Sequence, residues 1–142
     1  MKLISHRGNI SGPSPLENDP SYVNETLRMG FEVEVDVWLI EDQLLLGHDK
    51  PEYFVDEKFL KQNGLWCHAK NLDAMCELQK IGVENYFWHQ DDDVALTSSG
   101  YLWTFPGKEL TSISIAVMPE QVARWDISNV AGICSDNIAR FI

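Results

Sequence analysis

The chain has 142 residues, 44% of them hydrophobic, with a formal charge of −11, which is the size of one ordinary domain over residues 1–142. The negative balance argues against nucleic acid or an anionic membrane surface as a partner held by bulk electrostatics, and there is no apolar run of the roughly 18 residues that a membrane span needs. A phosphate substrate stays open, because a divalent ion and a few basic side chains reverse the sign of a pocket locally.

The start, MKLISHRGN, lacks the long apolar stretch of a signal peptide. Cys67, Cys76 and Cys134 have no CxxC spacing and read as reduced thiols, which predicts a cytoplasmic protein. KLISH (2–6) predicts a strand, followed by a loop over 8–20 rich in Gly, Pro and Ser. SYVNETLRMG (21–30) predicts a helix with Ser21 as cap and Gly30 as stop. FEVEVDVWL (31–39) predicts a strand, followed by the turn IEDQ and by LLLGHD (44–49). A short helix is expected over 53–64, a strand at LWCHAKN (65–71), and an amphipathic helix over 72–82 with Leu72, Met75, Cys76, Leu78 and Ile81 on one stripe. Further strands are expected at 84–90, 99–107, 112–120 and 130–136, with a short helix over 121–128. Strand and helix alternating through the first half point to parallel β-α units.

In FEVEVDVWL a strand's period of two puts Val33, Val35 and Val37 on one face and Glu32, Glu34 and Asp36 on the other. Carboxylates stacked at roughly 7 Å steps repel one another unless something neutralises them. In LWCHAK, Trp66, His68 and Lys70 share one face, and Cys67 and Ala69 the other. A His/Lys column beside a carboxylate column satisfies it as a buried ion-pair network. A divalent cation is the better account, since hard cations take oxygens from several carboxylates at once. Taken singly, His6, Arg7, Glu17 and His48 are ordinary surface or capping residues, and His89 with the aspartates of WHQDDD is a solvated turn. Taken together, His6, Arg7, Glu17, Glu34, Asp36 and His48 fall at the C-terminal ends of predicted strands or in the loops after them, the edge where parallel β/α folds do chemistry.

His6-Arg7-Gly8, Glu17-Asn18, Glu34-x-Asp36 and His48-Asp49, in that order and followed by GICSD (132–136), resemble the motifs of the glycerophosphodiester phosphodiesterase family, within the phosphoinositide-phospholipase-C-like barrels. The match is dense over residues 4–49 and thins after residue 71. The resemblance implies a compact TIM-type β/α barrel with several helices shortened or missing, either stripped to loops or incomplete, since such barrels take about 250 residues, with about 200 as a lower limit. A wall left bare would be covered by a second copy in a homodimer. The resemblance also implies a phosphoric diester hydrolase acting on a glycerophosphodiester-like or polyol-phosphodiester small molecule. Mg²⁺ or Ca²⁺ would be held by Glu34 and Asp36 with help from Glu17. Arg7 and Lys70 would bind the phosphate, and His6 and His48 would share the acid and base roles. Where the family has a third-strand Glu, this chain has His68, a softer ligand that brings Mn²⁺ into consideration. Two other readings remain. One is a non-catalytic relative binding a phosphorylated sugar or lipid headgroup. The other is a lyase or isomerase of sugar phosphates, which would not depend on both histidines.

Overall fold

The alternation in FEVEVDVWL is realised as the strand β2, Glu32–Ile40. In the computed structural model, which describes residues 1–142, Val33, Val35 and Val37 are fully buried. They pack beneath helices α1 (Pro20–Arg28) and α3 (Leu72–Ile81), against Val23, Ala74 and Leu78. Burying each valine contributes about 1.5–3 kcal/mol, and this layer anchors the sheet. The carboxylates of β2 face the concave side.

On one flank β2 pairs in parallel with β1 (Lys2–His6), and on the other with β5 (Leu65–Ala69). The remaining strands are β3 (Gln43–Leu46), β4 (Tyr53–Val55), β6 (Tyr86–Phe87), β7 (Val94–Leu96), β8 (Leu102–Thr104), β9 (Ser114–Val117) and β10 (Gly132–Ser135). The parallel strands run in the order β6-β5-β2-β1-β10-β9-β8. The hairpin strands β3, β4 and β7 join antiparallel. Glu41 and Asp42, at φ 49° and 62°, make the left-handed turn between β2 and β3 that suits a two-residue hairpin. The concave face is filled by Ile4, Trp66, Phe87, Trp103, Ile115 and Cys134.

This architecture corrects the expected TIM-type barrel. The sheet is mixed, ten-stranded and curved into a half-barrel, with three short helices rather than one after each strand. α1, α2 (Glu57–Leu60) and α3 all lie before residue 82, and no α-helix follows. A crossover that carries a helix takes a dozen or more residues. Between β8 and β9 only residues 105–113 are available, and they contain Pro106 and Gly107. Between β6 and β8 the chain spends its length on β7. On the far side the 3-10 turn Ile138–Phe141 packs Ile138 with Phe31 and Ile133 in place of a helix.

Single elements differ as well. α1 is capped by Asp19, whose side chain accepts from the Ser21 N–H, and Pro20 takes the first turn, where a missing N–H costs nothing. The expected helix over 53–64 shrinks to Glu57–Leu60 behind the Asp56 cap, because 53–55 extends the hairpin as β4. Over 121–128 there is no helix, only a 3-10 turn at Pro119–Gln121. α3 forms as expected between the Asn71 cap and a left-handed Gly82, but it buries Ala74 and Leu78 and leaves Leu72 and Cys76 exposed. All three cysteines are free. No helix is long and apolar enough to cross a membrane.

Candidate active site

Strand register brings the titratable groups together. In the parallel pairs, His6 lies beside Glu34, and Asp36 beside His68. Neighbouring strands are about 4.8 Å apart, so side chains at one level on one face meet. His6 Nε2 is 3.7 Å from Glu34 Oε2. His68 Nδ1 is 3.6 Å from Glu34 Oε1 and 3.4 Å from Asp36 Oδ1. Below them the His68 ring stacks on Phe87 with centroids 4.9 Å apart, and Phe87 meets Trp103 at 4.6 Å. The carboxylates therefore sit on an aromatic floor, each about 1% exposed.

The loop after β1 closes the site from above. Arg7 has the left-handed φ of 58°, which costs a non-glycine residue about 1–3 kcal/mol and marks a position held for a purpose. Its guanidinium places Nη1 3.1 Å from Glu17, Nη2 2.6 Å from His48 Nδ1, and Nε 3.2 Å from Asp36 Oδ2. Gly8 follows because a Cβ there would lie 2.7 Å from the Tyr22 ring of α1. Gly47 permits the His48 turn, because a Cβ there would collide with the Lys50 carbonyl. His48 is the most open of the site's imidazoles, its side chain 40% exposed.

Six of the eight expected site residues, His6, Arg7, Glu34, Asp36, His48 and His68, form one contiguous group. Lys70 stands at its margin, with Nζ 4.0 Å from Asp36 Oδ1. Glu17 is turned elsewhere: Oε2 accepts from Arg7 and Oε1 from Asn9 Nδ2 at 2.9 Å. The ligand atoms that converge within 4.8 Å of one another come from Glu34, Asp36 and His68. Glu34 Oε2 and Asp36 Oδ1 are buried with no hydrogen-bond partner. Two buried carboxylate oxygens without donors, beside an imidazole nitrogen, are a donor set that fits a divalent cation. Glu32, deeper on the same face, is satisfied separately by Lys2 Nζ at 2.7 Å and Trp66 Nε1 at 2.6 Å.

Sequence reasoning gave no role to several residues that shape this site. Asp136, at the end of β10, accepts from His6 Nδ1 at 2.7 Å and from Asn9 Nδ2 at 2.8 Å. Asn18 clamps Asp36 twice, donating to Oδ2 and accepting the Asp36 backbone N–H, each at 2.9 Å. Glu120 accepts from the Ser135 hydroxyl and from the Asp136 backbone N–H. Asn18 and Asp136 lie inside the motif stretches LEN and GICSD, and that adjacency was the available signal.

The titration of the group follows its contacts. Burial works against the charged form of His6, but the Asp136 hydrogen bond and the Glu34 field prevail and raise its pKa above the ordinary imidazole value. Burial works against charged His68 too, yet the contacts to Asp36 and Glu34 raise it to about 9. Burial alone would raise Asp36; the adjoining His48, His68 and Arg7 hold its carboxyl well below the usual range. Asp136 is likewise lowered against its burial, by His6 and Asn9.

These contacts also assign tautomers. Asp136 holds a proton on His6 Nδ1 and leaves Nε2 as the acceptor in the neutral ring. Arginine only donates, so the 2.6 Å contact makes His48 Nδ1 an acceptor in neutral His48 and puts its proton on Nε2. When His48 is doubly protonated, the same Nδ1 has Asp36 Oδ2 at 3.5 Å as its partner. Comparison of the chain with protein-family models, with curated proteins and with solved structures gave no match, so the family resemblance stands on the motif residues alone.

Proposed function

We propose that this protein is a metal-dependent phosphodiester hydrolase, related to the glycerophosphodiester phosphodiesterases, acting on a small glycerophosphodiester-like or polyol-phosphodiester molecule. The observation that carries the reading is the pair of imidazoles with opposite free nitrogens, an acceptor on His6 and a donor on His48, flanking one carboxylate pair and one guanidinium. Phosphodiester cleavage needs a base for the nucleophile, an acid for the leaving alkoxide, and positive charge for the phosphoryl oxygens. A binding module needs only the last.

Glu34, Asp36 and His68 would hold the cation, of Mg²⁺, Ca²⁺ or Mn²⁺ type. When bound, it supplies Lewis-acid stabilisation of phosphoryl charge and offsets the buried carboxylates. His6 Nε2 takes the proton of the attacking hydroxyl or water, and Asp136 stabilises the imidazolium that forms. His48 acts as the imidazolium, with Asp36 Oδ2 facing its Nδ1–H; it delivers the Nε2 proton to the departing oxygen and is left as the neutral ring. Arg7 orients the phosphate, kept in place by Glu17 on one side and Asp36 on the other. Lys70 adds positive charge at the margin.

The test is hydrolysis of bis(p-nitrophenyl) phosphate and of glycerophosphodiesters, with each of the three metals and with a chelator. Native protein should turn over only with metal. His6→Ala should lower kcat by about 10²–10⁴, the usual worth of a positioned acid or base. Glu34→Ala should remove the response to metal. Absence of turnover on every substrate, in a protein that still binds a divalent ion, would replace the enzyme with a phosphate-binding relative.

A further inference from the structure

The cavity at this site has two unlike walls. It measures about 220 Å³ and is lined on one side by His6, Arg7, Glu34, His48 and His68, the groups already placed. The other side is mainly apolar, with Trp103, Phe105, Pro106, Val117 and Met118; the polar residues among them are His89, beside Phe105, and Gln121. Nothing in the proposed chemistry uses that second wall.

Trp103 and Val117 belong to the core beneath, but Phe105 and Met118 are not core that happens to surface. Phe105 is 46% exposed directly after β8, and its one aromatic neighbour is the His89 ring, at 5.8 Å. Met118 has the left-handed φ of 51°, the same costly conformation that Arg7 adopts on the facing wall. Its backbone is held there from both sides: its N–H donates to the Cys134 carbonyl at 2.7 Å, and its carbonyl accepts from the Gln121 N–H at 3.0 Å. A strained backbone on each side of one cavity indicates that both walls are shaped for an occupant. The cavity is also small. Ligand pockets for drug-sized molecules run to about 300–1,000 Å³, so this one encloses a phosphoryl group and one compact substituent, and a long acyl chain would not fit within it.

We infer that the substrate is a phosphodiester whose second ester carries a compact, ring-sized apolar group, which packs on Phe105, Val117 and Met118 while the phosphoryl group faces Arg7 and the histidines. This rests on the phosphodiesterase reading for the phosphoryl position and adds the identity of the group beside it. Selectivity then comes from a wall supplied by the segments after β8 and at the end of β9, separate from the motif residues of β1, β2 and β5.

The probes are two monoanionic diester analogues with the same glyceryl arm: glyceryl phenylphosphonate and glyceryl methylphosphonate. Their binding to the whole protein is measured by calorimetry in the presence of Mn²⁺. The phenyl analogue should bind about tenfold more tightly, the effect of burying much of one ring. Phe105→Ala should reduce that preference to about threefold or less and leave the methyl analogue unchanged; Phe105 is exposed, so the variant keeps its fold. Equal affinity for the two probes, or a preference that Phe105→Ala leaves intact, overturns the inference. The outcome is separable from the enzyme reading. A phenyl preference in a protein that hydrolyses no diester keeps the wall and drops the hydrolase. Turnover of glycerophosphodiesters without the preference keeps the hydrolase and drops the wall.

Discussion

Asp136 governs the site without lying among its charged lining. Its Oδ1 receives both His6 Nδ1 and Asn9 Nδ2, and its backbone is tethered by Glu120, so it has little freedom to turn. Exchanging it for asparagine keeps the shape and removes the charge that stabilises imidazolium. Asp136→Asn should therefore lower kcat by about 10²–10⁴, as loss of the orienting carboxylate does in other His–Asp pairs, with KM little changed and the melting temperature near that of the native protein. Because Asp136 raises the His6 pKa, the acid limb of the pH–rate profile should move to lower pH in the variant. A drop in kcat with an unmoved acid limb would mean that Asp136 acts through structure alone. At this scale the chemistry-bearing types were legible: His, Arg, Glu and Asp at strand ends stand out from their neighbours. Asn9 and Asn18 did not, because asparagine in a Gly/Pro-rich loop reads as a turn former. That Asn18 grips a carboxylate of β2 is a long-range fact, marked in the sequence only by its place beside Glu17 in LEN.

Among the elements, the extent of α3 was readable because its apolar spacing and its terminal glycine agree, although the buried face is set by Ala74 and Leu78 and leaves Leu72 and Cys76 of the expected stripe outside. The segment 121–128 was misread because Val122 and Trp125 have helical spacing. In the folded chain Met118 and Arg124 are both left-handed, and the Trp125 indole N–H is held by the Lys108 carbonyl. The strands β4 and β7 were invisible because three-residue hairpin arms carry too few residues to show a period. The caps offer a direct comparison. Asp56 accepts one backbone N–H at the start of α2. Asn71 accepts from Ala74 at the start of α3 and also pairs with both the N–H and the C=O of Leu39 at the end of β2. Asp56→Ala should cost about 1 kcal/mol or less, whereas Asn71→Ala should cost about 2–3 kcal/mol, since it strips a cap and leaves two partly buried backbone groups unpaired. Urea unfolding of the two variants checks this; equal losses would show that the Asn71 bridge to β2 adds nothing beyond a cap.

For the molecule as a whole, the short chain left a stripped barrel and an incomplete one both open, because the two share their strand pattern and differ in what fills the connections; the half-barrel is the second of these. The acidic balance, in contrast, bears directly on how the fold responds to pH. His68 has a folded pKa of about 9 against an ordinary 6.5, raised by Asp36 and Glu34 over the opposing effect of its burial, and His6 is raised in the same sense. A group raised in the folded state contributes stability that is fully present below its unfolded value and is lost as pH climbs through the folded one. Without metal, stability should therefore fall between about pH 6.5 and 9, by on the order of 3 kcal/mol from His68 alone, or roughly 10 °C in Tm for a domain of this size. Asp36 and Asp136 are lowered, so their contribution is present above the ordinary carboxylate value and fades only as pH falls below it. Maximum stability of the chelator-treated protein is then expected between about pH 4 and 6.5. A divalent ion competes with the proton for His68 Nδ1 and replaces its charge beside Glu34 and Asp36, so saturating Mn²⁺ should remove the alkaline decline and stabilise the protein more at pH 9 than at pH 6. Melting curves at both pH values, with chelator and with Mn²⁺, decide the matter. A chelated protein equally stable at pH 6 and 9 would show that His68 is not the cation holding the carboxylates together. A metal effect no larger at pH 9 than at pH 6 would place the ion away from His68.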